Sequence, residues 1–293
     1  MKFIEPSFKI IEEKNQLKNI EYFGRICYRS ENKITPDSYK TFVKSLIKSG
    51  HLAVTEHANY TFKISKNCDG TINFIPLINL PAVKMFEDED NYYIVLNLRH
   101  IIELRDNTNL NFGIALDSKT KEVIDEKQLN TIPMIKLSPN NTHELNTFIS
   151  VEFNIARGIW DELARHRIGG MNAESSRYCM YSDDKFSNEL KVAIPYWFAK
   201  AGFFKKAFWK LNWKIKEWSY KICTKLFKMQ AQEARGILGL DYLIKCGYTA
   251  SIDQWKKIMK LRLHSSAHPD IRNIMGKLCD ELENQGIKLR EVK

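Results

Sequence analysis

The sequence predicts an α+β protein, on three observations. Tyr39, Phe42, Val43, Leu46 and Ile47 recur at helical spacing near the N-terminus. Tyr60, Phe62 and Ile64, and much later Val151, Phe153 and Ile155, alternate with their neighbours as half-buried strands do. The chain beyond residue 197 then reads as mainly helical, so helix, strands and helices follow one another in blocks rather than in regular alternation.

The N-terminal helix spans roughly 36 to 49, because Thr35 and Pro36 mark its start and Gly50 its stop. Between the two alternating segments lies a stretch at about 65 to 148, read as an insertion or elaborated hairpin. It contains a strand pattern at Tyr92 to Leu96, a short helix pattern at Ile101 to Arg105, and polar turns near Asn107 to Asn109 and Pro139 to Thr142. From Trp197 to about Gln230 the chain is rich in Lys, Phe and Trp, lacks proline and has one glycine, which fits one or two long amphipathic helices. Such a segment can pack aromatics inward and leave lysines in water, or it can lie on a membrane or on nucleic acid. The segments around 231 to 240, 251 to 264 and 268 to 285 complete the helical half.

With 293 residues, 44% of them hydrophobic, the chain can build a sizeable core, and residues 1 to 293 are expected to form one domain. The net charge of +10 favours anionic partners such as nucleotides. No apolar run is long enough to span a bilayer and the first residues lack a signal-peptide pattern, so a cytoplasmic location, or host cytoplasm for a viral protein, is expected. Six dispersed cysteines without a C-x-x-C pair suggest neither a zinc knuckle nor a disulfide framework. No metal is expected, although His51 and His57 are both potential ligands.

The densest chemistry lies in Arg165-His166-Arg167-Ile-Gly-Gly-Met-Asn172-Ala173-Glu174-Ser175-Ser176-Arg177-Tyr178. Guanidinium groups grip phosphate bidentately, the plainest use for Arg165, Arg167 and Arg177; surface ion pairs with Asp161, Glu162 and Glu174 are the alternative. Gly169 and Gly170 permit a tight turn or a close approach to a ligand. Cys179 beside Arg177 is either an activated thiolate or a small packed residue. Arg262 shares a helix face with Trp255, Ile258 and Met259, so its charge must meet an anion, whether a ligand or an internal carboxylate.

R-H-R followed by seven residues and a serine, Arg165 to Ser175, resembles the signature of the flavin-dependent thymidylate synthases, the ThyX family. Further blocks are similar to that family in the same order: Gly24-Arg25-Ile-Cys27-Tyr28-Arg-Ser30, Lys33 to Pro36, Gly50 to His57, Asp161 to Ser182, Gln232 to Leu238, and Lys260-Leu-Arg262 with Ala267-His268-Pro269. The resemblance implies an antiparallel or mixed sheet with long helices, a homotetramer, and active sites shared between subunits. It implies reductive methylation of dUMP to dTMP, with methylenetetrahydrofolate and NADPH as co-substrates and FAD relaying the hydride, and neither a membrane nor a nucleic-acid partner. Matched by position, Arg262 is the expected catalytic residue. Glu162, Arg165, Glu174, Ser175, Ser176, Arg177, Arg235 and Arg262 are the expected dUMP ligands. His51, Ala53, Arg165, His166, Arg167, Ala173, Ser251, Asp253 and Lys257 are the expected FAD ligands. Departures cluster at Ala53, Gly169-Gly170, Ala173, Gly239, Ser251 and Asp253, where the family carries other residues. Two accounts follow: the inserted segment supplies replacement groups, or the substrate differs, as with another pyrimidine nucleotide, hydroxymethylation, or a degenerate nucleotide-binding member. A basic nucleic-acid-binding protein using residues 198 to 228 is the reading outside this family.

Overall fold

The computed structural model describes residues 1–66, 83–106, 135–136, 143–186 and 188–290. Two short strands, β1 (Lys2–Ile4) and β2 (Ser7–Ile11), precede helices α1 (Gln16–Ile26) and α2 (Ser38–Lys48). The Asn15 side chain starts α1 by accepting from the Leu17 and Lys18 amides at 3.0 and 3.4 Å, donors that have no partner within the helix. α1 is a helix the sequence reading passed over, because Asn19, Glu21 and Gly24 interrupt its apolar spacing. Gly24 is there for packing: a Cβ at this position would sit 2.7 Å from the Phe42 ring of α2. α2 ends as its sequence dictates, with Gly50 at φ 72° and the Gly50 and His51 amides donating back to Ile47 and Leu46.

A 3-10 segment, Leu52–His57, leads into β3 (Asn59–Ser65), β4 (Lys84–Glu87), β5 (Asn91–Asn97), α3 (Leu98–Asp106) and β6 (Ile135–Lys136). These strands form an antiparallel sheet in the order β4-β5-β3-β6. The expected strand at 92 to 96 is β5 and the expected helix at 101 to 105 lies within α3; the polar turns near 107 to 109 and 139 to 142 fall outside the described residues. Ile20, Val43, Phe62, Ile94 and Leu96 pack the core between this sheet and the first two helices.

The second sheet has the order β2-β7-β10-β8 and is antiparallel throughout; its later strands are β7 (Phe148–Ala156), β8 (Gly170–Ala173) and β10 (Leu243–Ser251). Around it lie α4 (Arg157–Leu163), β9 (Lys191–Ala193), α5 (Phe203–Lys221), α6 (Ala231–Ala234), α7 (Ile252–Arg262) and α8 (Pro269–Asn284), and β9 pairs in parallel with β1. Phe153, Tyr248, Trp255 and Met275 anchor its core. The fold is thus α+β with antiparallel sheets, as expected. β10 had no clear forecast, because a strand buried on both faces shows no alternation. The segment at 231 to 240 is less helical than its composition suggested: four residues of α6, a 3-10 turn at Arg235–Ile237, and then irregular chain.

Candidate active site

α4 runs directly into a 3-10 turn, Ala164–His166, closed by Arg167 in the left-handed conformation (φ 54°). Chain reversal continues through Gly169 (φ 130°) into β8, and the Tyr248 hydroxyl donates to the Ile168 carbonyl at 2.9 Å. The glycine pair permits close backbone packing. A Cβ on Gly169 would lie 2.4 Å from the Thr249 carbonyl oxygen, and one on Gly170 would lie 2.8 Å from the backbone of Glu56 and His57. These contacts fix the Arg165-His166-Arg167 turn to both β10 and the 3-10 segment that carries Ala53 and follows His51.

Arg262, the last residue of α7, follows the buried Trp255, Ile258 and Met259 on one face, as its spacing required. Its Nε–H donates to His166 Nε2 at 2.9 Å, Nη1 donates to Glu162 Oε2 at 3.2 Å, and Nη2 donates to the Glu162 carbonyl. Glu162, His166 and Arg262 therefore come together, and the anion opposite Arg262 is an internal carboxylate. A guanidinium has five N–H donors, so two of them stay free for a ligand. Burial, followed by the charge of Arg262, pushes His166 down to about 4. It accepts from Arg262 as a neutral imidazole.

His57 is a core residue. Its Nδ1 lies 2.7 Å from Thr249 Oγ1, its ring stacks on Phe23 with centroids 4.2 Å apart, and burial pushes it down to about 3. Both imidazoles resist protonation in the fold, whereas the unfolded chain takes up protons near the ordinary value of about 6.5. Stability is therefore full above that value and falls on acidification, the loss from His166 ending near 4 and that from His57 near 3. Unfolding free energies from urea titrations at about pH 7 and about pH 5 are expected to differ by several kcal/mol, with a lower midpoint at pH 5, and His166→Asn should remove part of the difference. An equal midpoint at both pH values would contradict the burial of these rings.

The Ser175 to Cys179 turn docks on the chain after α1. The Ser175 amide donates to the Cys27 carbonyl at 3.0 Å, and the Tyr178 and Cys179 amides donate back to the Ser175 carbonyl. Glu174 is interior and accepts from Arg29 Nε at 2.6 Å. Ser176 is buried, Ser175 half-buried and Arg177 exposed, its guanidinium 5.6 Å from the Tyr178 ring. Cys179 packs as a small residue; burial and the nearby Glu174 push its thiol up to about 12, which excludes an activated thiolate.

The proposed ion pairs of Arg165, Arg167 and Arg177 do not form. Asp161 pairs with Arg157, Glu162 with Arg262 and Glu174 with Arg29. Arg165, Arg167, Arg177 and Arg235 are exposed and, among the described residues, have no carboxylate partner. Arg177, Arg235 and Arg262 stand on three separate elements, and no hydrogen bond joins them within one chain among the described residues.

The remaining expected residues form a third group. Ser251 caps α7 in a reciprocal box with Gln254. Lys84 of β4 donates to both Ser251 and Asp253, and Lys257 lies 3.3 Å from Asp253. Asp253 is held below its ordinary carboxyl range despite burial, by its bonds from Lys84 and Ser251. Lys84 thus places a cation directly beside Asp253. Ala173 is half-buried on β8 opposite Cys246, while His51, Ala53 and Lys257 are exposed. Sequence reasoning missed Lys84 and Arg29. Arg29 lies inside the Gly24 to Ser30 block, whereas Lys84 has no motif around it.

The family model described as thymidylate synthase complementing protein (Thy1) matches residues 9–68 and 119–285. No curated protein sequence gives a significant match. Two solved structures align with the chain. The first, thymidylate synthase X (ThyX) from Helicobacter pylori with FAD and dUMP, is 16% identical over 45% of this chain, with a TM-score of 0.37; the alignment spans 66% of its own length, just under two thirds. The second, flavin-dependent thymidylate synthase ThyX from Helicobacter pylori complexed with FAD and dUMP, is 12% identical over 97% of both chains, with a TM-score of 0.40.

Proposed function

The chain belongs to the thymidylate synthase complementing protein family, and from that membership we propose that it is a flavin-dependent thymidylate synthase converting dUMP to dTMP, with methylenetetrahydrofolate as one-carbon donor and NADPH as reductant. The observation that carries the reading is that Glu162 and His166 fix Arg262 beside the turn bearing Arg165 and Arg167, which are exposed and have no carboxylate partner among the described residues. Arg165 and Arg167 suit a pyrophosphate and Arg177 and Arg235 a monophosphate, each a dianionic or polyanionic group that planar, bidentate donors hold well. In this reading FAD is held by His51, Ala53, Arg165, His166, Arg167, Ala173, Ser251, Asp253 and Lys257, with Lys84 neutralising Asp253 so that the acid does not repel it. The donor set fits that anion. Bound flavin would supply the hydride that reduces the transferred carbon to a methyl group.

The chain's own residues act on the pyrimidine. Uracil C5 is a weak nucleophile, strengthened when negative charge at N3 and O4 is stabilised. The two free N–H donors of Arg262 serve that role, and neutral His166 and Glu162 hold them in place. Glu162, Glu174, Ser175 and Ser176 complete the dUMP side, with Glu174 acting through Arg29 and the Ser175 turn. Ser175 has no base bonded to its hydroxyl among the described residues, which favours binding over nucleophilic attack.

Among the described residues no hydrogen bond joins Arg235 to the Arg262 group, and in this reading a second copy in a homotetramer brings the two together. Tyr28, Ile168, Tyr178 and Leu261 leave apolar surface exposed beside the site residues, as a copy-to-copy contact requires. Purified protein is expected to be yellow, to bleach with NADPH, and to release tritium from 5-tritiated dUMP only when methylenetetrahydrofolate is present. A colourless protein that releases nothing, or one that prefers dCMP, would overturn the reading.

A further inference from the structure

We infer that the outward face of α5 is a lipid-binding surface that seats the protein on an anionic membrane. The helix is apolar on two opposite sides. Trp213 and Tyr220 point into the core, and the Trp209 ring lies 5.0 Å from that of Phe3. On the other side Phe204, Phe208, Leu211, Ile215 and Trp218 recur at steps of four and three residues, and all are exposed, Phe204 to 86%. Leu226 and Phe227 extend the same surface past the helix end. At ~200 Å² for each large side chain, the patch is on the order of 1,000 Å², beyond what a soluble monomer ordinarily exposes.

Charge identifies the occupant. Residues 203–228 contain eight lysines and one acid, Glu217. Glu217 is turned inward, 3.2 Å from the N-terminal ammonium and accepting from the Leu190 amide. Lys214, Lys225 and Lys228 are exposed and lack carboxylate partners among the described residues. The outward rim is therefore cationic without an acid, the pattern of an in-plane interfacial helix. A second copy of the same face would set lysine against lysine in an antiparallel pairing, and the apolar contacts expected between copies lie on other elements, around Ile168, Tyr178 and Leu261. Single-stranded nucleic acid would suit the aromatics and lysines but gives no use to Leu211, Ile215 and Leu226. The family resemblance implies no membrane partner. Among the described residues no helix is long and apolar enough to cross a bilayer; lying in the interface is a different mode, in which lysines extend to the headgroups on either side of the stripe.

The test is flotation of the full chain with vesicles of equimolar phosphatidylcholine and phosphatidylglycerol, beside phosphatidylcholine alone. Binding is expected to the anionic vesicles only, weakening with salt, with a blue shift of tryptophan emission that Trp218→Phe diminishes. Phe208→Asp with Ile215→Asp should weaken partition by more than ~100-fold, and Lys214→Gln or Lys225→Gln by roughly fivefold each. All four positions are exposed, so circular dichroism should be unchanged. Absence of binding to the anionic vesicles overturns the inference. So does a Phe208→Asp, Ile215→Asp variant that falls to a smaller oligomer in sedimentation, which assigns the face to a second copy, or tighter capture of an oligonucleotide that lipid does not displace.

Discussion

Arg262→Ala is expected to lower kcat for tritium release by about 10²- to 10³-fold, the loss typical of removing one preorganised donor from developing negative charge. Yellow colour and FAD content should be retained, because among the described residues the side chain bonds only Glu162 and His166. Arg262→Lys should recover little, since an ammonium cannot meet Glu162 and His166 together and still present two further donors. Glu162→Gln should be milder, near tenfold, because the carbonyl contact to Arg262 survives while the paired charge is lost. The split between the two variants separates a positioning role for Glu162 from direct contact with the pyrimidine. As a control, Lys210→Ala, on exposed α5, should leave turnover unchanged. Equal losses for Arg262→Ala and Lys210→Ala would remove Arg262 from the mechanism.

Local signals carried much of this into the sequence. The proline and glycine around α2 fixed its ends, and the i, i+3, i+4, i+7 spacing placed Arg262 on the buried face of α7, both as found. What local signals could not carry is pairing across the chain. The carboxylates near Arg165 and Arg177 in sequence are taken by Arg157, Arg262 and Arg29, two of which are distant in sequence, so the ion-pair alternative looked as reasonable as phosphate binding until those partners were placed. Lys84 was invisible for the same reason: its meaning lies in Ser251 and Asp253, which β4 reaches only through sheet packing. β10 escaped because burial on both faces erases the alternation by which strands are read.

Gly170→Ala and Gly169→Ala are expected to cost roughly 3 kcal/mol or more each, a drop of about 5 °C or more in Tm for a chain of this size. Gly170 meets backbone on all three of its nearest contacts, so no side chain can turn aside to admit a methyl group. Gly169 adds a φ of 130°, which L-residues rarely adopt, to a 2.4 Å approach to the Thr249 carbonyl oxygen. Thermal melts should contrast both with Gly276→Ala in α8, where the added methyl meets nothing within 4 Å and should stabilise by about 0.5 to 1 kcal/mol. The same two glycines hold the Arg165 to Arg167 turn against β10 and the Leu52–His57 segment. Whatever fraction of either variant stays folded should therefore bind FAD more weakly, while Gly276→Ala keeps wild-type affinity. Departures from the family pattern at 169 and 170 would then be a packing solution particular to this chain. A Gly170→Ala protein with unchanged Tm and unchanged flavin content would show that the turn is not fixed by those backbone contacts.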